Sequence, residues 1–214
     1  MNSKKNLLKR SKLYIILDKE TLNTKPLSGF AAQIIASGAQ VIQLRDKASK
    51  KSIVLKEALQ LHNLLKNKRD TLLIINDYLE IAKIADSDGI HLGQYDTSVK
   101  TARKILGPGK IIGISCHTLK QALAAQKDGA DYISIGPVFP TPLKAGTKSL
   151  GLALLKKIAG KIRIPCFAIG GINETNIKTV LDTGIKRLVV CRAACAAKDP
   201  RTAIKKLLRQ FTKK

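Results

Sequence analysis

The sequence predicts a single α/β domain folded as a (β/α)8 barrel, the TIM-barrel architecture, and three observations carry that prediction. Eight short runs rich in Ile, Val and Leu recur along the chain, each bounded by turn residues and followed by a longer segment with helical spacing of apolar residues. The runs are nearly continuous in apolar residues, as a parallel sheet covered by helices demands. Eight such units in 214 residues sit at the small end of the range for this barrel.

Taken in order, the strands are L-Y-I-I-L-D (13 to 18), V-I-Q-L-R (41 to 45), T-L-L-I-I-N-D (71 to 77), G-I-H-L-G (89 to 93), I-I-G-I-S (111 to 115), Y-I-S-I-G (132 to 136), P-C-F-A-I-G (165 to 170) and R-L-V-V-C (187 to 191). Between the second and third, Val54, Leu55, Ala58, Leu59, His62 and Leu65 fall on one helical face. Near the end of the chain Ala203, Ile204, Leu207, Leu208 and Phe211 do the same. The segments S-G-A-Q-V-I, S-D-G-I-H-L, D-G-A-D-Y-I and T-G-I-K-R-L-V each place a glycine between a helix and a strand, where it is expected to serve as a helix C-cap. An open doubly wound sheet is the alternative. It is disfavoured because K-E-T-L-N-T-K-P after Asp18 carries no Gly-rich phosphate fingerprint.

Residues 1 to 12 read as a basic N-terminal extension and residues 13 to 214 as the barrel and catalytic domain. Composition excludes disorder, collagen and coiled coil, since hydrophobic residues make up 44% and charged residues 25% of the chain. No apolar run approaches the roughly 18 residues of a membrane helix, and the start of the chain lacks the apolar stretch of a signal peptide. Cys116, Cys166, Cys191 and Cys195 lie in apolar surroundings without a C-x2-C pair, which favours buried free thiols and a reducing, cytoplasmic setting. The net charge of +24 raises the possibility of a nucleic-acid binder, because the first twelve residues and the tail K-K-L-L-R-Q-F-T-K-K are rich in lysine and arginine. Aromatic residues at 4% and the lack of a binding motif weigh against specific nucleic-acid recognition. The charge is assigned instead to solubility and steering of anionic substrates.

Barrel active sites are built at the C-terminal ends of the strands, so the polar residues ending these runs are read together. Gln43, Arg45 and Lys47 alternate along the second strand and face one way, into the mouth. Asn76 and Asp77 end the third strand; His91, Gln94 and Asp96 follow the fourth; Ser115 and His117 the fifth. The sixth leads to Thr141 and Lys144, the seventh to Gly170 and Gly171, the eighth to Cys191 and Arg192. Mg²⁺ typically takes one or two carboxylates together with phosphate oxygens, so Asp77 and Asp96 beside these cations point to a magnesium and pyrophosphate site. Each aspartate is equally placed to cap the helix that follows it. The loop G-P-V-F-P-T-P-L-K-A-G-T-K-S-L-G-L is of the sort that closes over ligands, and A-I-G-G-I-N-E places two glycines where barrels commonly bind phosphate.

The ordered motifs Q-L-R-D-K (43 to 47), I-N-D (75 to 77), G-I-H-L-G-Q-Y-D (89 to 96), G-I-S-C-H-T (113 to 118), D-Y-I-S-I-G-P-V-F-P-T-P (131 to 142), Lys144 and A-I-G-G-I (168 to 172) resemble the thiamine-phosphate synthase family over residues 13 to about 210. The resemblance implies an alkyl transferase that joins a hydroxymethylpyrimidine pyrophosphate to a thiazole phosphate and releases pyrophosphate by a dissociative route. It implies Gln43, Arg45, Lys47, Asn76, Ser115 and Lys144 for the pyrimidine pyrophosphate, with Arg45, Ser115 and Lys144 acting in catalysis. Asp77 and Asp96 would hold Mg²⁺. Thr141, Leu143, Gly171, Cys191 and Arg192 would line the thiazole phosphate site.

Three residues depart from the family pattern. Leu143 stands where a second threonine is usual, Arg192 where serine is common, and Arg187 where glycine is common; the two arginines are expected to make the last phosphate loop bulkier. The related thiazole tautomerase is the nearest rival, with His117 as its candidate histidine. Asp77, Asp96 and Lys144 favour the synthase reading, in which His117 orients Ser115 or packs beside the pyrimidine. Partners are small molecules on either enzymatic reading, and oligomeric state is not legible.

Overall fold

The structure is a computed structural model that describes Ser3 to Thr212 except Ala145. The first two residues of the basic extension and the last two lysines of the tail lie outside the described residues. Eight parallel strands, β1 Leu13–Asp18, β2 Val41–Arg45, β3 Leu72–Asn76, β4 Gly89–Leu92, β5 Ile111–Cys116, β6 Tyr132–Ile135, β7 Cys166–Ile169 and β8 Leu188–Val190, close in sequence order with β8 against β1. The helices are α1 Ser3–Arg10, α2 Lys19–Leu22, α3 Leu27–Ala36, α4 Lys51–Leu65, α5 Leu79–Ile84, α6 Val99–Leu106, α7 Leu119–Lys127, α8 Gly151–Ala159, α9 Ile177–Leu181, α10 Arg192–Cys195 and α11 Pro200–Arg209.

Helix starts follow local chemistry. The Ser98, Thr118 and Asp199 side chains accept the Thr101, Gln121 and Thr202 amides at the starts of α6, α7 and α11, and Pro200 opens α11, where its missing N–H costs nothing. Gly38, Gly129 and Gly184 have positive φ after their helices, as expected of C-caps. The fourth glycine corrects the pattern. Gly89 is the first residue of β4, and a Cβ there would lie 2.1 Å from the Ile111 carbonyl oxygen, so it permits close strand approach while Asp86 (φ 48°) takes the left-handed turn. The buried stripe of α4 is also shifted, running through Val54, Ala58, Leu61 and Leu65, with Leu59 40% exposed. Glu57 is buried beside this stripe because Lys19 bonds it at 2.5 Å.

Strand residues alternate between two cores. Leu13, Ile15 and Leu17 face the helices, whereas Tyr14 and Ile16 join Val41, Ile74, Tyr132, Phe167 and Val189 inside the barrel. Tyr14, Tyr132 and Phe167 pack edge-on or tilted with centroids 5.6 to 5.9 Å apart. Helix α1 covers the N-terminal end of this interior. Its Leu7 and Leu8 are buried against it, while Lys4 and Lys5 pair with Asp88 and Asp131, each at 2.7 Å. Burying the two leucines stabilises by about 3 to 6 kcal/mol.

Gly113 on β5 makes room for the Tyr132 ring, since a Cβ at that position would lie 2.0 Å from Tyr132 Cζ. Gly113→Ala is therefore expected to cost about 3 kcal/mol, the upper part of the overpacking range. Urea denaturation checks this, and an unchanged midpoint with an unchanged slope would show that the ring moves freely.

Candidate active site

The inward parity that fills the barrel with Tyr14, Gln43 and Tyr132 places Asp18, Arg45, Asn76, His91, Ser115 and Ser134 nearer the C-terminal mouth. A cavity of about 310 Å³ opens there, lined by Arg45, Ser115 and His117 on one side and Gly170, Gly171, Cys191 and Arg192 on the other. The loop after β6 borders it with Thr141, Leu143 and Lys144, the last two in a 3-10 turn spanning Pro142–Lys144.

Gln43 is 1% exposed, and its amide Nε2 donates to the Tyr14 hydroxyl at 2.8 Å. Arg45 is held by the buried carboxylate of Asp18, whose other oxygen accepts the Thr21 amide and hydroxyl at 3.1 and 2.7 Å. Lys47 is mostly exposed and pairs with Asp77 at 3.3 Å. The row predicted along β2 thus runs from a buried amide to a solvent-facing ammonium, and Arg45 pairs with Asp18 rather than with either predicted metal ligand.

Neither aspartate of the predicted pair caps a helix. α5 begins after Tyr78 with no side-chain cap, and α6 is capped by Ser98, while the Asp96 carboxylate accepts the Gly93 amide at 2.6 Å. Asp77 is left-handed (φ 61°), with its amide donated to the His91 carbonyl at 2.9 Å. Burial and the facing Asp96 carboxylate raise the Asp77 pKa, and Lys47 opposes that shift. Two carboxylates turned toward one another in this way form a hard oxygen pair suited to a divalent cation. Among the described residues no group of three or more His, Cys, Asp or Glu side chains could hold a metal ion.

Ser115 Oγ lies 2.9 Å from His91 Nε2, and Gln94 Nε2 donates to the Ser115 carbonyl at 2.6 Å. Burial pushes the His91 pKa down to about 4. His117 donates from Nδ1 to the Gly136 carbonyl at 2.5 Å, which orients its ring at the cavity wall. No direct His117–Ser115 bond accompanies it among the described residues; the histidine bonded to Ser115 is His91.

On the far side, Gly170 (φ 101°) and Gly171 (φ 64°) are required for shape as well as for backbone freedom. A Cβ would lie 2.5 Å from Pro137 at the first and 2.7 Å from Phe139 Cβ and the Pro140 carbonyl at the second. Cys191 precedes the short helix α10, which begins at Arg192. Arg192 borders the cavity and is exposed. Arg187 is different: it precedes β8 at the opposite end of the barrel, where it donates to the Lys9 carbonyl at 2.5 Å. The expectation that it thickens the last phosphate loop is corrected, because a residue before a strand lies at the N-terminal face. All four cysteines are free; three are buried and Cys191 is half-buried at the cavity. Burial pushes the Cys116 and Cys166 thiols up to about 12.

Sequence reading missed Asp18 and the two interior tyrosines. Their signal was parity: Tyr14 and Asp18 share the inward face of β1, and Tyr132 stands across from Gly113 in the β5–β6 register.

A closed (β/α)8 barrel with an acidic pair, a row of cations and two glycines around the C-terminal mouth has the architecture of a barrel enzyme. Residues 13–194 match the thiamine monophosphate synthase family, and the chain belongs to that family, whose members are transferases of thiamine biosynthesis. The thiamine-phosphate synthase of Coprothermobacter proteolyticus is 43% identical over 207 residues, covering 97% of this chain and 98% of the relative. That of Halalkalibacterium halodurans is 43% identical over 189 residues, covering 88% and 89%. The solved thiamine phosphate pyrophosphorylase of Pyrococcus furiosus superposes with a TM-score of 0.86 at 35% identity, covering 97% of each chain.

Proposed function

We propose that the protein condenses 4-amino-2-methyl-5-hydroxymethylpyrimidine pyrophosphate with 4-methyl-5-(2-hydroxyethyl)thiazole phosphate to give thiamine phosphate and pyrophosphate. The observation that supports this reading is that cationic and hydroxyl side chains stand on one side of the mouth and a glycine pair with Arg192 on the other, an arrangement suited to two anionic groups. Asp77, Asp96, Lys47, Arg45, Ser115 and Lys144 form or border one half, and Gly171, Cys191 and Arg192 the other.

In this reading Asn76 and Gln43, the latter through the Oε1 that has no partner among the described residues, bind the pyrimidine side, while Arg45, Lys47, Ser115 and Lys144 receive the pyrophosphate. The bond between the pyrimidine methylene carbon and the pyrophosphate oxygen breaks, and the electron pair leaves on oxygen. The resulting pyrimidine-methyl cation is captured by the thiazole nitrogen lone pair, forming the new carbon–nitrogen bond. Arg45, Ser115 and Lys144 stabilise the charge that accumulates on the leaving group, which is the demand of a dissociative transition state. The carboxylates of Asp77 and Asp96 fit Mg²⁺, which when bound would neutralise part of that charge. Thr141, Leu143 and the backbone of Gly171 and Cys191 receive the thiazole phosphate, with Arg192 adding a charge-assisted contact that partly replaces the hydroxyl Leu143 lacks.

Incubation with both substrates and Mg²⁺, with mass detection of thiamine phosphate, tests the reading. Product is expected only when both substrates are present, and its absence from the complete mixture would overturn the assignment. Arg192→Ala is expected to weaken thiazole phosphate binding about ten- to a hundred-fold, the worth of a hydrogen bond to a charged group. Affinity for the pyrimidine pyrophosphate is expected to stay unchanged. Separate titrations of the two ligands decide it, and equal weakening of both would mean that the variant disrupts the mouth as a whole.

A further inference from the structure

A chain of hydrogen bonds crosses the barrel interior beneath the mouth. Gln43 Nε2 donates to the Tyr14 hydroxyl at 2.8 Å, the Tyr14 and Tyr132 hydroxyls are 3.0 Å apart, and Tyr132 reaches His91 Nδ1 at 2.9 Å. On its other side His91 Nε2 meets Ser115 Oγ at 2.9 Å and Ser134 Oγ at 3.2 Å. Gln43, Tyr14, Tyr132, His91 and Ser134 are all at least nine-tenths buried; Ser115 and Ser134 both border the cavity, and of the two Ser115 is the more exposed, being half-buried. Such a chain has a direction, because each hydroxyl owns one hydrogen and a buried hydrogen left without an acceptor is costly.

The direction follows from its first member. The Gln43 amide is placed with Nε2 toward Tyr14 and with Oε1 buried and without a partner among the described residues; in this placement the nitrogen can only donate, so the Tyr14 oxygen accepts from Gln43. Among the described residues the one other partner of that hydroxyl is Tyr132, which must therefore receive the Tyr14 hydrogen. Tyr132 in turn gives its own hydrogen to His91 Nδ1. An imidazole that accepts at Nδ1 carries its hydrogen at Nε2 and donates it to the serine side. Gly113 serves the same arrangement, since any larger residue would displace the Tyr132 ring and hydroxyl.

We propose that His91 is a positioning residue for Ser115: the Gln43–Tyr14–Tyr132 chain locks it in the Nε2–H tautomer, it donates to Ser115 Oγ at 2.9 Å in preference to Ser134 Oγ at 3.2 Å, and the serine's own hydrogen, for which Ser134 Oγ at 3.4 Å is the more distant internal acceptor, is turned toward the mouth. The sign of the serine's interaction with an anion depends on this. With the opposite tautomer Ser115 would spend its hydrogen on His91 and present only lone pairs to the cavity. With the Nε2–H tautomer it presents a donor, which is what a departing pyrophosphate oxygen requires. The kinetic consequence rests on the function proposed above, whereas the tautomer itself does not.

Nitrogen-15 NMR of the labelled parent protein reads the tautomer directly, and only three histidines, His62, His91 and His117, need assignment. At neutral pH His91 is expected to show a pyridine-like Nδ1 and a pyrrole-like Nε2; a protonated Nδ1 with a bare Nε2 would overturn the proposal. Kinetics supply the second readout. His91→Leu is expected to lower kcat about ten- to a hundred-fold, the range for a hydrogen bond to a charged group, with the KM for thiazole phosphate unchanged. His91→Gln, whose amide can still donate toward Ser115, should recover a large part of that loss. Tyr132→Phe keeps the ring that packs on Phe167 but removes the hydrogen that fixes His91, so its His91 should show a mixture of tautomers and its kcat should fall. An unaltered tautomer and unaltered kcat in Tyr132→Phe would mean that the chain is only packing. A parent without synthase turnover but with the expected tautomer would instead implicate the functional assignment and leave the internal geometry standing.

Discussion

Asp77→Asn is expected to lose on the order of a hundred-fold or more in turnover, because it removes half of the oxygen pair proposed to hold the cation over the leaving group. The fold is expected to survive. Asparagine tolerates the left-handed backbone that Asp77 adopts at φ 61°, and the change relieves the repulsion between this carboxylate and Asp96. The melting temperature should therefore equal or exceed that of the parent while activity collapses, a combination that a purely structural role would not produce. Asp96→Asn should lose activity similarly. Its Oδ2 accepts the Gly93 amide, however, so that variant carries an additional local cost. Full turnover by Asp77→Asn in excess EDTA would sink the metal assignment.

Lys144→Ala is the second large effect, with kcat expected to fall about a hundred-fold and the KM for the pyrimidine pyrophosphate to change little. A preorganised cation aimed where charge develops acts chiefly on the transition state, and removal of one such donor typically costs a hundred- to a thousand-fold, roughly. Lys144 ends the short 3-10 turn that borders the cavity, so its ammonium is carried by the loop rather than by a strand. A variant that changes KM alone would make the lysine a ground-state binder.

The barrel was legible because period and spacing survive in the sequence: each apolar run from Leu13–Asp18 to Leu188–Val190 became a strand, with shifts of a residue at some ends. The same parity placed Gln43 and Arg45, which lie on β2 itself, whereas Lys47, Lys144, Gly171 and Arg192 lie on the segments beyond the strand ends. What resisted reading were pairings fixed only in three dimensions. Arg45 sits beside Asp18 because β1 and β2 are in register there, a partner 27 positions away that no local pattern marks. Tyr14 and Tyr132 look like ordinary core residues in sequence, and their hydroxyls acquire meaning only when β1 and β6 face each other across the barrel. Arg187 was misplaced because distance along the chain from Arg192 is short, whereas the three residues of β8 carry the chain from one face of the barrel to the other.

The central claim is that one mouth expels pyrophosphate and joins the two halves of thiamine phosphate. Its most direct test is the simultaneous measurement of released pyrophosphate and formed thiamine phosphate, first with Mg²⁺ and then after EDTA. Equal amounts of the two products, lost with chelation and restored by added Mg²⁺, are the expected result. Pyrophosphate release without thiamine phosphate, or equal product formation in Mg²⁺ and in EDTA, would contradict the account.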